Sequence, residues 1–274
     1  MNEKGLLLAI SCVALSFGTL AQNKPSTDET KLRTPDLKGE YLGQKKPGLT
    51  PELFAPNFIS TEYSETDPFF HPNGKEFYYT MEGENGYMNI IVSKLEDGKW
   101  TNPKPLPIPN KESFGTAITG GGSNLYFASI DLISENDSRT EYNLWVMERE
   151  GDGWGNPKPL GPGINTPDAL EMLPSIADDG TLYFKRFSFE DDTEKIYYAE
   201  RENGQYMEAK LFEAEFNLKY NIEDPFMSPD ESFVTFTAKI SDRPRPYISF
   251  KDDLGEWLVN PEGHGWYLRR CNIP

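Results

Sequence analysis

Residues 223–236 read Glu223-Asp224-Pro225-Phe226-Met227-Ser228-Pro229-Asp230-Glu231-Ser232-Phe233-Val234-Thr235-Phe236. An acidic pair and a proline run into a Ser-Pro-Asp turn, and the turn runs into aromatic and β-branched residues. Pro and Asp pre-set the backbone for tight turns. Phe, Val and Thr suit a pleated, half-buried surface. The stretch therefore reads as strand, turn and second strand.

The phrase returns three times upstream. Its acidic openings are Glu65-Thr66-Asp67-Pro68, Glu112-Ser113-Phe114-Gly115 and Glu171-Met172-Leu173-Pro174. The turns follow at His71-Pro72-Asn73-Gly74, Thr119 to Gly122, and Asp178-Asp179-Gly180, and the aromatic strands at Phe77-Tyr78-Tyr79, Leu125-Tyr126-Phe127 and Leu182-Tyr183-Phe184. A third strand comes next in each copy, at Asn89–Val92, Asn143–Val146, Lys195–Tyr198 and Pro246–Ser249, and then an aromatic, Trp100, Trp154, Tyr206 and Trp257. Those four aromatics are 54, 52 and 51 residues apart. Pro103–Leu106 and Pro157–Leu160 add a Pro-bounded outer strand in two copies.

One such sheet cannot cover both its faces. Units packed side by side around an axis do so and leave only short edges. A β-sandwich would carry short strands without a 50-residue period. The expectation is an all-β propeller of about four blade units over 51–257, complete or cut from a larger ring. Pro51 to Pro56 looks like an outer strand that precedes the first unit, placed to complete the last blade and close the ring. The divergent tail, 258–274, does not continue the pattern.

These landmarks resemble the WD40-like (PD40) propeller repeat of exported bacterial proteins and of the TolB propeller. Ser228-Pro229-Asp230 and His71-Pro72-Asn73-Gly74 carry the resemblance best. It implies the fold and leaves the activity open, because propellers host unrelated functions.

Composition bounds the rest. The 274 residues include 44 acidic and 27 basic side chains, a net charge of −17 that repels nucleic-acid backbones. Solubility of an exported protein is the plainer reading of that charge, and attraction of a cation or basic partner the sharper one. Lys4, the apolar run Leu6–Leu20 and the small residues before Ala21 form a secretory signal peptide over 1–21, with periplasmic or extracellular delivery. The minor alternative is a lipoprotein processed at Cys12. The run is too short to favour a transmembrane segment. Cleavage after Ala21 leaves Cys271 alone, so no internal disulfide is expected. Residues 22–50 read as a polar linker.

Catalytic sets are scarce. The two histidines, His71 and His264, have no Gly-x-Ser-x-Gly elbow to serve, and they exclude a histidine-rich zinc site. His71 is expected on the surface of a turn. Asp97-Gly98-Lys99-Trp100 and Gly151-Asp152-Gly153-Trp154 have the residues of a sialidase box at the wrong spacing. The loop Asp131–Asn143 lacks the spacing of a calcium loop. No cofactor is expected. The remaining candidates are Glu65, Asp67, Glu112, Glu171, Glu223 and Asp224, which should gather near one mouth of the channel and there bind a partner or cation. A residue type that recurs in every unit more often holds blades together. The primary expectation is a non-catalytic module for a protein, peptide or glycan of the envelope. The alternative is a carbohydrate-active hydrolase with a carboxylate pair.

Overall fold

A computed structural model describes residues 36–257, apart from positions 47, 49, 51, 85, 110, 111, 131–140 and 240–242. The signal peptide, Cys12, His264, Cys271, the tail 258–274 and most of the Asp131–Asn143 loop lie outside the described residues.

Four antiparallel sheets follow one another along the chain. Blade 1 holds β1 (Ser64–Phe70), β2 (Glu76–Glu82) and β3 (Met88–Glu96), with β4 (Lys99–Trp100) and β5 (Lys104–Pro105) on the outer edge of β3. Blade 2 repeats this with β6 (Ser113–Ile118), β7 (Asn124–Ser129), β8 (Asn143–Glu150), β9 (Gly153–Trp154) and β10 (Lys158–Pro159). Blade 3 has β11 (Ala169–Ile176), β12 (Leu182–Ser188) and β13 (Thr193–Ala199), then the ribbon β14 (Arg201–Glu202) and β15 (Gln205–Tyr206), and β16 (Lys210–Leu211) as outer strand. A short helix, α1 (Glu215–Lys219), leads to β17 (Ile222–Met227), β18 (Phe233–Ala238) and β19 (Arg245–Phe250) of blade 4. The inner strands β1, β6, β11 and β17 meet at a shared cavity, so the four sheets form a four-bladed propeller.

The aromatic strands explain the packing. Side chains alternate between faces along a strand, so the middle residue of each triplet faces the next blade and its neighbours face the previous one. Tyr78 joins Leu125 and Phe127, Tyr126 joins Leu182 and Phe184, and Tyr183 joins Val234 and Phe236, each set in one buried cluster. Blades 1 to 3 are covered on both faces, which is why Phe77, Tyr78 and Tyr79 are all buried. The spaced aromatic then clamps back onto the blade before it. Trp154 Nε1 donates to Tyr78 Oη at 2.9 Å, and Tyr206 Oη donates to Tyr126 Oη at 3.0 Å. Arg149 strengthens the first clamp with a bidentate pair to Glu76, at 2.6 and 3.0 Å. Such planar two-bond pairs are both stronger and more directional than single contacts.

The N-terminal segment departs from expectation. Residues 52–60 do not complete the last blade, and among the described residues blade 4 has three strands. Phe54, Ala55, Phe58 and Ile59 pack with Phe77, Tyr79, Ile91 and Trp100 on the free face of blade 1. Part of the segment read as linker joins them. Leu42 is fully buried there, and Trp100 Nε1 donates to the Gly39 carbonyl at 2.8 Å. The physical reason is the same two-face problem: Phe77, Tyr79 and Trp100 have no preceding blade, so the chain's own start covers them.

His71 is also corrected. It is 7% exposed, its Nδ1 accepts from Asn73 N at 3.1 Å, and its ring lies against Gly122 of the next blade's turn. A Cβ on Gly122 would come within 2.5 Å of that ring, so the glycine makes the contact between turns.

Asn165 and Asn217 were not singled out by their sequence. Asn217 Oδ1 accepts from Ile196 N at 2.8 Å, and its Nδ2 donates to the carbonyls of Ile196 and Phe212 at 2.9 and 2.7 Å. Asn165 does the same for Leu144 and Leu160. These amides satisfy the third strand where the outer strand stops. Asn217→Ala strands Ile196 N and the Phe212 carbonyl, while the Ile196 carbonyl keeps its bond from Phe212 N at 3.0 Å. Each stranded group costs about 1–3 kcal/mol before relaxation. A net loss of about 2–4 kcal/mol in urea unfolding is expected, against under about 1 kcal/mol if the amide is incidental.

Candidate functional site

Each inner strand is broken at the same place. Pairing with the second strand shifts between Thr66 and Phe69, Phe114 and Ala117, Met172 and Ser175, and Glu223 and Phe226. At every break one residue takes a left-handed backbone: Asp67 (φ 51°), Gly115 (φ 66°), Leu173 (φ 54°) and Asp224 (φ 48°). The next residue is Pro68, Thr116, Pro174 or Pro225. A bulge leaves its extra residue outside the ladder, so proline's missing N–H is no loss there. The recurring acidic-Pro phrase is therefore a bulge device.

The bulges aim these dipeptides at the axis. A cavity of about 230 Å³ is lined by Asp67, Pro68 and Phe69 of blade 1, Gly115 and Thr116 of blade 2, Leu173 and Pro174 of blade 3, and Asp224, Pro225 and Phe226 of blade 4.

Of the six expected acids, only Asp67 and Asp224 reach this cavity. The six do not share one register position, and a one-residue offset turns a side chain to the opposite face. Counted from the bulge, Glu65 and Glu171 are equivalent, Glu112 stands one residue farther out, and Glu223 one residue nearer. Glu65 Oε1 accepts from Thr61 N at 3.2 Å and from the Thr61 hydroxyl. Glu112 Oε1 accepts from Met88 N, across the blade boundary, at 3.4 Å. Glu171 is wholly buried, paired to Arg186 Nε at 2.9 Å and bonded by Thr166 Oγ1 at 2.8 Å. Arg186 lies over the Tyr197 ring, 4.4 Å from its centre. Burial pushes the Glu171 carboxyl up, and the Arg186 charge and Thr166 donors oppose the rise. Glu223 is half-buried. Its carboxyl is raised by burial first and by Glu194 next, with Lys185 pulling the other way.

Asp67 Oδ2 accepts from Thr80 Oγ1 at 2.9 Å and Thr66 Oγ1 at 3.1 Å. Thr80 Oγ1 in turn takes Gly115 N at 3.4 Å, which links the first two bulges. Burial raises the Asp67 carboxyl above its ordinary 3.8; the threonine bonds oppose that, and the Asp224 charge adds to it. Asp224 is exposed and accepts no hydrogen bond among the described residues. No group of three or more His, Cys, Asp or Glu poised for a metal occurs among the described residues. Thr116 escaped the sequence reading. Aligning the copies on Pro68, Pro174 and Pro225 would have placed it at the same position.

No family model matches the sequence, and no curated protein is similar to it in sequence. Solved structures are similar in fold. A putative TolB from Agrobacterium tumefaciens aligns with a TM-score of 0.48 at 17% identity, over 69% of this chain and 62% of that one. TolB from Acinetobacter baumannii gives 0.44 at 16%, over 74% and 45%. A puromycin-hydrolysing peptidase from Mycobacterium tuberculosis gives 0.47 at 12%, over 76% and 30%. The chain spans less than two thirds of the length of each.

The raised Asp67 has a checkable consequence. An acid with a higher pKa folded than unfolded holds its proton more firmly in the native state. Its contribution to stability is therefore largest at low pH and is lost as pH rises from 3.8 through the raised value. Asp67→Asn keeps an acceptor for Thr80 and has no charge to bury. Urea unfolding from pH 4 to 7 should show the variant gaining on the wild type as pH rises. A constant difference would contradict the burial of that charge.

Proposed function

We propose that the chain is an exported, non-catalytic binding module that presents its channel mouth and loops to a protein, peptide or glycan partner in the cell envelope. The observation that carries this reading is the fate of the inner-strand acids. Glu65, Asp67, Glu112 and Glu171 are taken up by hydrogen bonds or an ion pair within and between blades. Acids spent on holding strands are not free to exchange protons with a substrate. A glycoside hydrolase needs two carboxyl groups roughly 5–10 Å apart beside a groove that admits sugar rings. The cavity of about 230 Å³ is walled mainly by Pro, Leu and Phe, and is smaller than pockets that take drug-sized ligands. The charge of −17 favours a basic partner. Export rests on the sequence of residues 1–21. Among the described residues no helix is long and apolar enough to cross a membrane.

Two measurements test this reading. The purified chain should retain a defined envelope partner in a salt-sensitive way and leave a panel of aryl glycosides intact. Turnover that disappears in Asp67→Asn or Asp224→Asn would replace it with the hydrolase. When the full chain is produced in cells, the mature form should begin at residue 22 in the exported fraction. A cytosolic product that retains residues 1–21 would contradict export.

A further inference from the structure

The four bulges share a backbone and differ in chemistry. Blades 1 and 4 bring Asp67 and Asp224 to the cavity, and blade 2 brings Thr116 where the other three have proline. Thr116 is 7% exposed, and among the described residues its Oγ1 has no hydrogen-bond partner. A buried hydroxyl without a partner destabilises a fold. Thr116 lines the same small space as Asp67 and Asp224, among Pro68, Phe69, Leu173, Pro174, Pro225 and Phe226.

We propose that this cavity binds a primary ammonium group on an aliphatic stem, with Asp67, Asp224 and Thr116 Oγ1 as its acceptors. An ammonium has three N–H donors and no acceptor, and the site offers three acceptors. The proline and leucine walls suit a hydrocarbon stem, and the rings of Phe69 and Phe226 can add to the attraction for a cation. A calcium ion takes six to eight oxygens, which two carboxylates and one hydroxyl among apolar walls do not supply. A sugar would need donors as well as acceptors around it. The volume fits one side chain. The ammonium can come from a lysine side chain of a partner or from a partner's N-terminus, and the chain's negative charge steers either toward the mouth. This inference rests on the binding reading and names the chemistry of what is bound.

The test is calorimetric titration of the full chain with three probes: Nα-acetyl-lysine amide, alaninamide as the α-amine, and Nα,Nε-diacetyl-lysine amide as the neutral control. Saturable binding of either amine, with none of the neutral control, is expected, and the stronger amine identifies the source. Asp224→Asn, at an exposed residue, should weaken the amine by ~10-fold, as for loss of one charged hydrogen bond. Thr116→Val should weaken it too while raising the unfolding midpoint, since it removes the unpaired hydroxyl. Equal binding of the neutral control, an unchanged Asp224→Asn, or calcium bound with the amines excluded would each overturn the inference. If Asp224→Asn loses nothing toward the amines yet the envelope partner is still retained, this inference fails and the binding reading stands. Glycoside turnover dependent on Asp224 would remove both.

Discussion

The bulge in each inner strand is the constraint on which the rest depends. One residue at φ near +50° turns the strand, and the residue after it steps out of the ladder toward the axis. Left-handed backbone is easy for Gly, tolerable for Asp and strained for Leu. The fold adopts that conformation four times, with the strain concentrated at Leu173, and neighbouring bulges support one another. Gly115 packs against the backbone of Leu173, where an added Cβ would sit 3.3 Å from Cα. Thr80 binds both Asp67 and Gly115. Ser175 Oγ accepts from Met227 N, next to the last bulge, at 3.1 Å.

From this inner ring the blades are tied outward by chemistry that varies from boundary to boundary. Between blades 1 and 2 the tie is ionic and aromatic, through Glu76, Arg149, Tyr78 and Trp154. Between blades 2 and 3 it is two tyrosines. Between blades 3 and 4 the Tyr183 hydroxyl binds Glu231, and Trp257 packs on Phe212 instead. Blade 4 carries Thr235 where the others carry tyrosine. Its onward face, which no further sheet covers among the described residues, is half-buried, with Phe226 and Phe250 exposed. Blade 1 differs again, since Leu37, Leu42, Phe54, Ala55, Phe58 and Ile59 cover its free face.

Much of this was legible because turn residues and aromatic triplets are local signals. The strand order, the third strands and two of the outer strands follow from them. The outer strand Lys210–Leu211 was missed because Ala209 and Leu211 stand where the other copies have prolines. The candidate acids were read as one set because sequence spacing does not reveal a bulge. Two residues separate Glu171, locked to Arg186, from the bulge position at which Asp67 and Asp224 reach the cavity. Buried amides such as Asn217 give no periodic signal, and their role appears only when a distant strand supplies the partners. The cover over blade 1 was hidden for the same reason: a polar composition does not exclude a few buried residues such as Leu42.

A cavity lined by Asp67, Asp224 and Thr116 follows from the bulges, so the functional reading stands on them. The most direct test is a pair of substitutions at Asp224, which is exposed, accepts no hydrogen bond among the described residues and holds φ 48°. At an ordinary exposed position both changes would stay within about 0.5 kcal/mol of the wild type. If the left-handed bulge is required, Asp224→Gly should keep the wild-type stability within about 1 kcal/mol. Asp224→Val, whose branched Cβ does not fit that backbone, should lose about 1–3 kcal/mol in urea unfolding. Equal stability of the glycine and valine variants would contradict the account.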